Sequence, residues 1–276
     1  MPSAHRYSPA VAALSVVLWL ALSPLAQAAS CAKQSPAHRV ALIELYTSEG
    51  CSSCPPADQW LSQLSQGFSA DQVVALALHV DYWDYIGWQD PFAQPAFAER
   101  QRWLTRLARS STVYTPEVFT GMKELRTWHT ATNFAERIEN INRRPAAADI
   151  ALQMRPADDD AVDLEARFTL RESEGAGQAA EAFVIIYENQ LRSKIRAGEN
   201  RGANLQHDRV VRFWSTALPL NKADGTALWR QTLKIPADWQ LEQLGVAAFV
   251  QDAQAGEVLQ ALAMPGCLQP AAAKAS

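Results

Sequence analysis

The chain has 276 residues and a formal net charge of −4, from 25 basic and 29 acidic side chains. This mildly acidic balance, without a basic run, argues against nucleic-acid binding and against binding to an anionic membrane surface. The length suits one large or two small domains. There are four cysteines, Cys31, Cys51, Cys54 and Cys267.

Residues 1–28 have the pattern of a secretory signal peptide. Arg6 supplies a positive charge, the run VAALSVVLWLAL is apolar but too short to cross a bilayer, and AQA offers small residues for cleavage near Ala28. We therefore expect a periplasmic or secreted protein with no membrane anchor after cleavage; a retained anchor is the alternative. An export compartment is oxidising, so the thiols are expected to pair.

Two cysteines lie near the two ends of the mature chain. Four cysteines allow three pairings, and Cys51 and Cys54 are close enough to form their own short loop. Because the termini of a domain often lie close together, we predict a structural disulfide between Cys31 and Cys267. In the loop-entropy model, closing nearly the whole chain stabilises the fold by about 4–5 kcal/mol.

The stretch 38–144 alternates strand and helix patterns. The predicted elements are, in order, the strand RVALIELY, the helix PADQWLSQLSQ, the buried strand QVVALALHV, the helix QPAFAERQRWLTRLARS, a short strand and turn in TPEVFTGMKEL, and the helix NFAERIENI. This βαβα-then-ββα order predicts an α/β domain with a central mixed sheet.

After NRRPAAAD the hydrophobic period changes to two. VDLEARFTL alternates apolar and polar residues, and six further strand candidates follow this pattern or are continuously apolar: DIALQM, EAFVIIYE, RVVRFW, LWRQTLKI, GVAAFVQD and EVLQALAM. About seven short strands separated by turns predict an all-β sandwich domain. We place the domain boundary near Pro145, the sandwich at 147–268 and a disordered tail at 269–276.

The most chemically informative motif is CSSC, between a predicted strand and a predicted helix. A cysteine at a helix N-terminus is stabilised as a thiolate by unpaired N–H groups and the helix dipole. We therefore predict that Cys51 is an exposed nucleophile and that Cys54 is the buried resolving thiol. The pair alone also fits half of a metal site or a local disulfide staple.

A second motif, VYTPEVF, places Pro116 at the start of a short strand. With CSSC and this TP motif, residues 40 to about 144 resemble a thioredoxin fold. In that fold a cis-proline lies beside the cysteine pair and leaves the strand edge free to pair with the substrate backbone. The resemblance implies that Pro116 is this cis-proline.

The whole mature chain also resembles a secreted, thioredoxin-like bacterial family of unknown function. The stretches that carry this resemblance are ELYTSEGCSSCPPAD, HVDYWDYIGWQDPF, YTPEVFTG and AGENRGANLQHDRVVR. The family covers both predicted domains but implies no substrate.

The sequence departs from thioredoxin in two ways. Two serines replace the Gly-Pro of thioredoxin between the cysteines, which leaves the direction of electron flow open. The buried acid that relays a proton in thioredoxin has no counterpart at identical spacing, and Glu44, one position further upstream, is the candidate. The alternative is a solvent-facing or salt-bridged Glu44.

Three other features have two interpretations each. His79, at the end of its strand, forms a Cu(I) set with Cys51 and Cys54 or is satisfied within the core. The aromatic stretch HVDYWDYIGWQDPF either lines a substrate groove or pins the next helix to the sheet. The loop at 196–209 either contacts the first domain or a partner, or provides turns.

We predict an exported thiol–disulfide exchange protein that acts through Cys51 and Cys54 on protein or peptide thiols and disulfides, without a cofactor. The alternative is a thioredoxin-fold binding module with an inert disulfide, or a Cu(I) carrier. The substrate, the reductant and the oligomeric state stay open at this level.

Overall fold

The computed structural model describes residues 30–157, 160–171 and 179–266. The predicted signal peptide, the predicted tail and Cys267 lie outside these residues, so all three predictions that depend on them, including the Cys31–Cys267 disulfide, stay predictions. Cys31 itself is buried in the first strand.

The described residues form fifteen strands, three α-helices and two short 3-10 helices. The strands are β1 Cys31–Gln34, β2 Ala41–Thr47, β3 Val73–His79, β4 Glu117–Thr120, β5 Lys123–Glu124, β6 Ala148–Pro156, β7 Ala161–Leu170, β8 Ala180–Glu188, β9 Leu191–Lys194, β10 Asn204–His207, β11 Val210–Trp214, β12 Leu218–Pro219, β13 Thr226–Lys234, β14 Leu244–Asp252 and β15 Val258–Met264. The helices are α1 Pro55–Gly67, α2 Pro95–Leu107 and α3 Ala131–Asn142, and the 3-10 helices are Asp81–Ile86 and Leu241–Gln243.

The largest sheet is mixed, as predicted. Its strand order is β15-β14-β8-β11-β3-β2-β4-β5, and β12 pairs separately with β8. Strand β3 runs parallel to β2 on one side and to β11 on the other, whereas β4 is antiparallel to β2. A two-stranded ribbon, β10-β9, stands apart from this sheet.

The two stretches on either side of Pro145 share this sheet. The amide N–H of Ala77 in β3 donates to the carbonyl oxygen of Arg209, which directly precedes β11, at 2.9 Å. This pairing removes what would be an exposed edge of β3. The hydrophobic period of the sequence therefore changes near Pro145, but the strands on the two sides of Pro145 are hydrogen-bonded into one sheet.

A second sheet, β1-β6-β7-β13, covers one face of the region formed by β8, β14 and β15. Its packing follows the alternation in β7, where Val162, Leu164, Ala166 and Phe168 are buried in the core between the sheets. The first strand, β1, belongs to this sheet although it precedes the α/β stretch in the chain.

Strands β2 and β3 are buried along their whole length because helices cover both faces. On one face Ile43 and Leu45 share a core cluster with Leu61 of α1. On the other face Tyr46 shares a cluster with Phe97 of α2. Since α1 follows β2 closely in the chain, its N-terminus lies near the end of β2.

Candidate functional site

The cysteine pair lies in the turn between β2 and α1. Cys51 and Cys54 form a disulfide, with their Cα atoms 5.4 Å apart. Cys54 directly precedes α1, and the N–H groups of Ala57 and Asp58 donate to its carbonyl oxygen at 2.8 and 3.1 Å. Two prolines follow in the first turn, where an N–H has no intrahelical partner. The turn is thus anchored by the helix that follows it.

Both cysteines are inaccessible to solvent. Cys51 and Cys54 are each 0% exposed, whereas Ser52 and Ser53 between them are exposed. The prediction that Cys51 is exposed is therefore wrong, and Cys54 is buried as predicted. The reason is tertiary, because the turn is packed against segments from other parts of the chain.

One of these segments begins β4. The Thr115–Pro116 peptide bond is cis. The carbonyl oxygen of Thr115 lies 3.8 Å from Cys51 Sγ and accepts a hydrogen bond from Ser53 Oγ at 3.5 Å. The Thr115 hydroxyl accepts a hydrogen bond from Trp83 Nε1 at 2.7 Å. The structure therefore brings Pro116 and its neighbour to the cysteine turn.

A segment from the second half of the chain, residues 196–202, crosses the turn; we call it the strap. Asn200 Nδ2 donates to the carbonyl oxygens of Glu49 and Cys51, at 2.8 and 2.9 Å. The predicted contact of this loop with the first half of the chain is therefore observed. The loop provides turns as well, because the Arg201 N–H donates to the Gly198 carbonyl at 3.3 Å and the Ala203 N–H to the Asn200 carbonyl at 3.0 Å.

The strap is held at two further points. Glu199 Oε2 accepts a hydrogen bond from the Ser52 N–H at 2.9 Å, and its hydrogen bonds with Ser52 lower the pKa of the Glu199 carboxyl. Gly198 has a positive φ of 72°, and a Cβ at this position would lie 3.0 Å from Ile86 Cδ1. A glycine is needed for this conformation and this close approach.

Glu44, the candidate proton relay, is not part of this arrangement. Its carboxylate is paired with Arg100, whose Nε lies 2.5 Å from Oε2 and whose Nη2 lies 2.8 Å from Oε1. Tyr46 donates a hydrogen bond to the same carboxylate at 2.9 Å. These partners lie on the face of β2 covered by α2, opposite the face packed by α1, so the salt-bridged alternative is the one observed.

His79, the candidate metal ligand, is paired with Asp90 rather than with the cysteines. Its Nδ1 lies 2.7 Å from Asp90 Oδ2, and its ring packs edge-on against Phe92 and His207. Within the described ranges, no group of three or more His, Cys, Asp or Glu side chains is placed to hold a metal ion. The Cu(I) set of His79 with the two cysteines is thus not assembled.

Five ionisable side chains are buried together near the cysteine turn. Besides the His79–Asp90 pair, His207 Nε2 lies 3.1 Å from Glu49 Oε1, and His207 Nδ1 lies 3.6 Å from Asp58 Oδ2. The Glu49 N–H donates to Asp90 Oδ2 at 2.8 Å, which connects the two groups. We call these five residues the acid–imidazole cluster.

Burial and pairing shift the ionisation of this cluster in opposite directions. Burial alone would lower the pKa of His79, but the negative charge of Asp90, with Asp58 and Glu49, raises it to about 9. Burial works against ionisation of Asp90 too, yet His79 and two backbone N–H groups lower the pKa of Asp90. For Asp58, burial prevails over His207 and His79, so its pKa is raised.

Sequence reasoning did not single out this cluster. Two of its members carried a local signal, because Glu49 lies two residues before Cys51 and Asp58 four residues after Cys54, on the same side of the helix. Asp90 and His207 come from distant segments, and only the tertiary structure brings them to the turn.

The aromatic stretch after β3 mainly braces the site. In addition to the Trp83 contact, Trp88 Nε1 donates to Glu49 Oε2 at 2.9 Å. Tyr85, in the 3-10 helix of the same stretch, is 83% exposed. The two tryptophans therefore contact the cysteine site, while Tyr82 pins the stretch to α2 by donating to Gln101 Oε1 at 3.1 Å. Tyr85 is the exposed aromatic side chain of this stretch.

Together these features define a strand-rich α/β protein with a mixed sheet and a buried disulfide at the N-terminus of a helix. The chain belongs to the family described as protein of unknown function DUF1223, which matches residues 42–251. None of the curated proteins matches the chain.

Two solved structures share the fold. Protein AGR_C_4864 from Agrobacterium tumefaciens is 24% identical, with a TM-score of 0.55, over 85% of this chain and 98% of the other. HBP35 of Porphyromonas gingivalis is 14% identical, with a TM-score of 0.64, over 88% of this chain and 82% of the other. At this identity the likeness shows the fold alone. In the part of the chain that the structure describes, no helix is long and apolar enough to cross a membrane.

Proposed function

We propose that this protein is an exported, thioredoxin-like thiol–disulfide exchange protein that acts on protein or peptide substrates. The observation that carries the proposal is the Cys51–Cys54 disulfide at the start of α1, with the carbonyl of Thr115 at the cis bond facing Cys51. The signal-peptide pattern of residues 1–28 supports export, where such a disulfide is maintained.

The exchange proceeds through a mixed disulfide. A substrate thiolate attacks Cys51 Sγ, a bond forms between the substrate sulfur and Cys51, and the Cys51–Cys54 bond breaks with Cys54 leaving as a thiolate. A second substrate thiolate then attacks the substrate sulfur of the mixed disulfide and releases Cys51. Two electrons and two protons pass from the substrate dithiol to the protein, and the reverse sequence reduces a substrate disulfide.

The local structure assigns a role to each neighbour. The dipole of α1 favours the thiolate form of the cysteines, although Pro55 and Pro56 contribute no N–H to that effect. Strand β4 is paired with β2 and β5, so the main chain of Thr115 and Pro116, which precede it, is the part that faces an extended substrate segment. We assign no proton-relay role to Glu44, because its carboxylate is held by Arg100.

A trapping experiment tests the proposal. A Cys54→Ala variant of the full chain, expressed in the export compartment, cannot resolve a mixed disulfide, so partner proteins should accumulate on Cys51 and be released by reductant. The matched control is the Cys51→Ser, Cys54→Ala double variant, which should capture none. If the single and double variants capture the same amount, and purified protein exchanges with no dithiol or disulfide protein, the disulfide is inert and the protein is a binding module.

A further inference from the structure

The strap belongs to the second half of the chain, yet it lies against the turn that carries the disulfide. Its hydrogen bonds go to main-chain atoms on both sides of Cys51: Asn200 to the carbonyls of Glu49 and Cys51, and Glu199 to the N–H of Ser52. A thiolate must reach a disulfide sulfur directly in order to attack it, and both cysteines are 0% exposed. The closed arrangement therefore protects the disulfide.

We propose that the strap is a gate over the cysteine turn, latched by Asn200 and Glu199, and that substrates reach Cys51 when this gate opens. The role of the gate in substrate access rests on the proposed function. Whether the strap shields the disulfide can be measured without that function.

The strap is built to open locally. Its latch to the turn consists of three hydrogen bonds, one of them to an exposed carboxylate. Gly198 and Gly202 both have positive φ, 72° and 90°, and they flank the two latch residues. A segment held by these hydrogen bonds and by the packing of Gly198 against Ile86 opens at a much lower free-energy cost than the whole domain.

Opening of the strap also determines which substrates are favoured. It leaves the N–H of Ser52 and the carbonyls of Glu49 and Cys51 without their partners in the strap. An extended peptide can replace these partners with its own main-chain N–H and carbonyl groups, whereas a small thiol cannot. The gate therefore favours peptide and protein segments over small thiols.

The rate of disulfide reduction by dithiothreitol measures the gate. Asn200→Asp keeps the side-chain shape but removes the donor, so we expect reduction about tenfold faster than in the wild type, which corresponds to about 1.4 kcal/mol. Arg201→Ala, in the exposed part of the same strap, is the control and should stay within about twofold. An Asn200→Asp rate within twofold of the wild type would overturn the gate.

Hydrogen exchange at the Ser52 amide gives an independent readout, because Glu199 is its acceptor. In Asn200→Asp, exchange at this amide should rise by the same factor as reduction. Faster reduction without faster exchange at Ser52 would mean that the disulfide is reached by another route. If the reduction rate of the variant depends on urea as steeply as global unfolding does, unfolding rather than the gate explains it.

The selectivity is tested with a second reductant, an extended peptide that carries two cysteines. Relative to dithiothreitol, this peptide should reduce the wild-type disulfide faster than it reduces oxidised glutathione, an unhindered reference disulfide, since the peptide compensates for opening; an equal ratio for the two disulfides contradicts the selectivity. These results are separate from the trapping experiment. If reduction of the Asn200→Asp variant is faster but the Cys54→Ala variant captures no partner, the gate is supported and the exchange function is rejected. If the reduction rate is unchanged but Cys54→Ala captures partners, the exchange function is supported and the gate is rejected.

Discussion

His207 lies between two carboxyl groups of the other half of the chain, with Nε2 3.1 Å from Glu49 Oε1 and Nδ1 3.6 Å from Asp58 Oδ2. It stands at the end of β10, immediately after the strap, while Glu49 and Asp58 flank the cysteine turn. The second half of the chain therefore contributes a buried side chain to the site as well as the strap that covers it.

Removing the His207 ring should destabilise the protein. His207→Ala leaves the buried Glu49 carboxylate without this partner, and we expect a loss of about 3 kcal/mol in the free energy of unfolding measured in urea. The exposed His129 provides the control, since His129→Ala should change stability by less than about 0.5 kcal/mol. A loss in His207→Ala no larger than in the control would show that the contact with Glu49 contributes nothing.

The His79–Asp90 pair predicts a decline in stability at alkaline pH. The pKa of His79 is about 9 in the folded protein and about 6.5 in the unfolded chain, so its stabilisation is complete below pH 6.5 and is lost as the pH rises through 9. The difference corresponds to roughly 3 kcal/mol. Urea unfolding at pH 6 and pH 9.5 should show this decline in the wild type and a smaller one in His79→Gln. Equal declines in both proteins would mean that His79 is not charged in the folded state.

Glu117, next to the cis-proline, predicts a second pH effect. Burial raises the pKa of Glu117 to about 7, against the opposing hydrogen bond from Gln101. Its folded pKa is above its unfolded one, so its favourable contribution is present below about pH 4.5 and is lost as the pH rises through 7. Glu117→Gln should therefore be more stable than the wild type at pH 8 and lose that advantage near pH 4.5. Thermal unfolding at the two pH values measures the difference, and the same offset at both values would contradict the buried, protonated carboxyl.

The Glu44–Arg100 pair predicts a loss of stability without a change in thiol chemistry. Arg100 also lies over the rings of Trp214 and Phe249, so Glu44→Gln leaves a guanidinium buried among aromatic rings and should cost about 3–5 kcal/mol. Because Glu44 faces α2, the pH profile for alkylation of the reduced cysteines should not move.

The control for this prediction is the exposed pair of Glu139 on α3 and Arg143, the residue that follows α3. Glu139→Gln should cost less than about 0.5 kcal/mol. A shifted alkylation profile in Glu44→Gln would restore Glu44 as a proton relay.

The strand and helix pattern of this protein was largely determined by the sequence itself. The period of two in β7 and the helical period in α1 reflect which side chains meet a core, and that information is local. The short strands β1, β9, β10 and β12 were not predicted, because two to four residues carry too little pattern to be distinguished from a loop.

The cysteine site likewise has features that the sequence predicts and features that only the tertiary structure shows. CSSC before a helix and TP before a strand are local motifs, and the structure places the Thr115 carbonyl oxygen 3.8 Å from Cys51 Sγ. The resemblance to the thioredoxin fold implied this approach, whereas the spacing of the two motifs did not. What covers the pair depended on tertiary structure. The parallel pairing of β11 with β3 fixes the second half of the chain against the first and carries the strap and His207 to the turn.

The sequence by itself thus determined the chemistry that is available, namely two cysteines joined in one turn at the start of a helix. Only the tertiary structure decided how accessible that chemistry is, and whether Glu44 or the acid–imidazole cluster lies beside it. The physical reason is that burial and ionisation depend on which distant segments exclude water from a side chain, and no spacing along the chain encodes that contact.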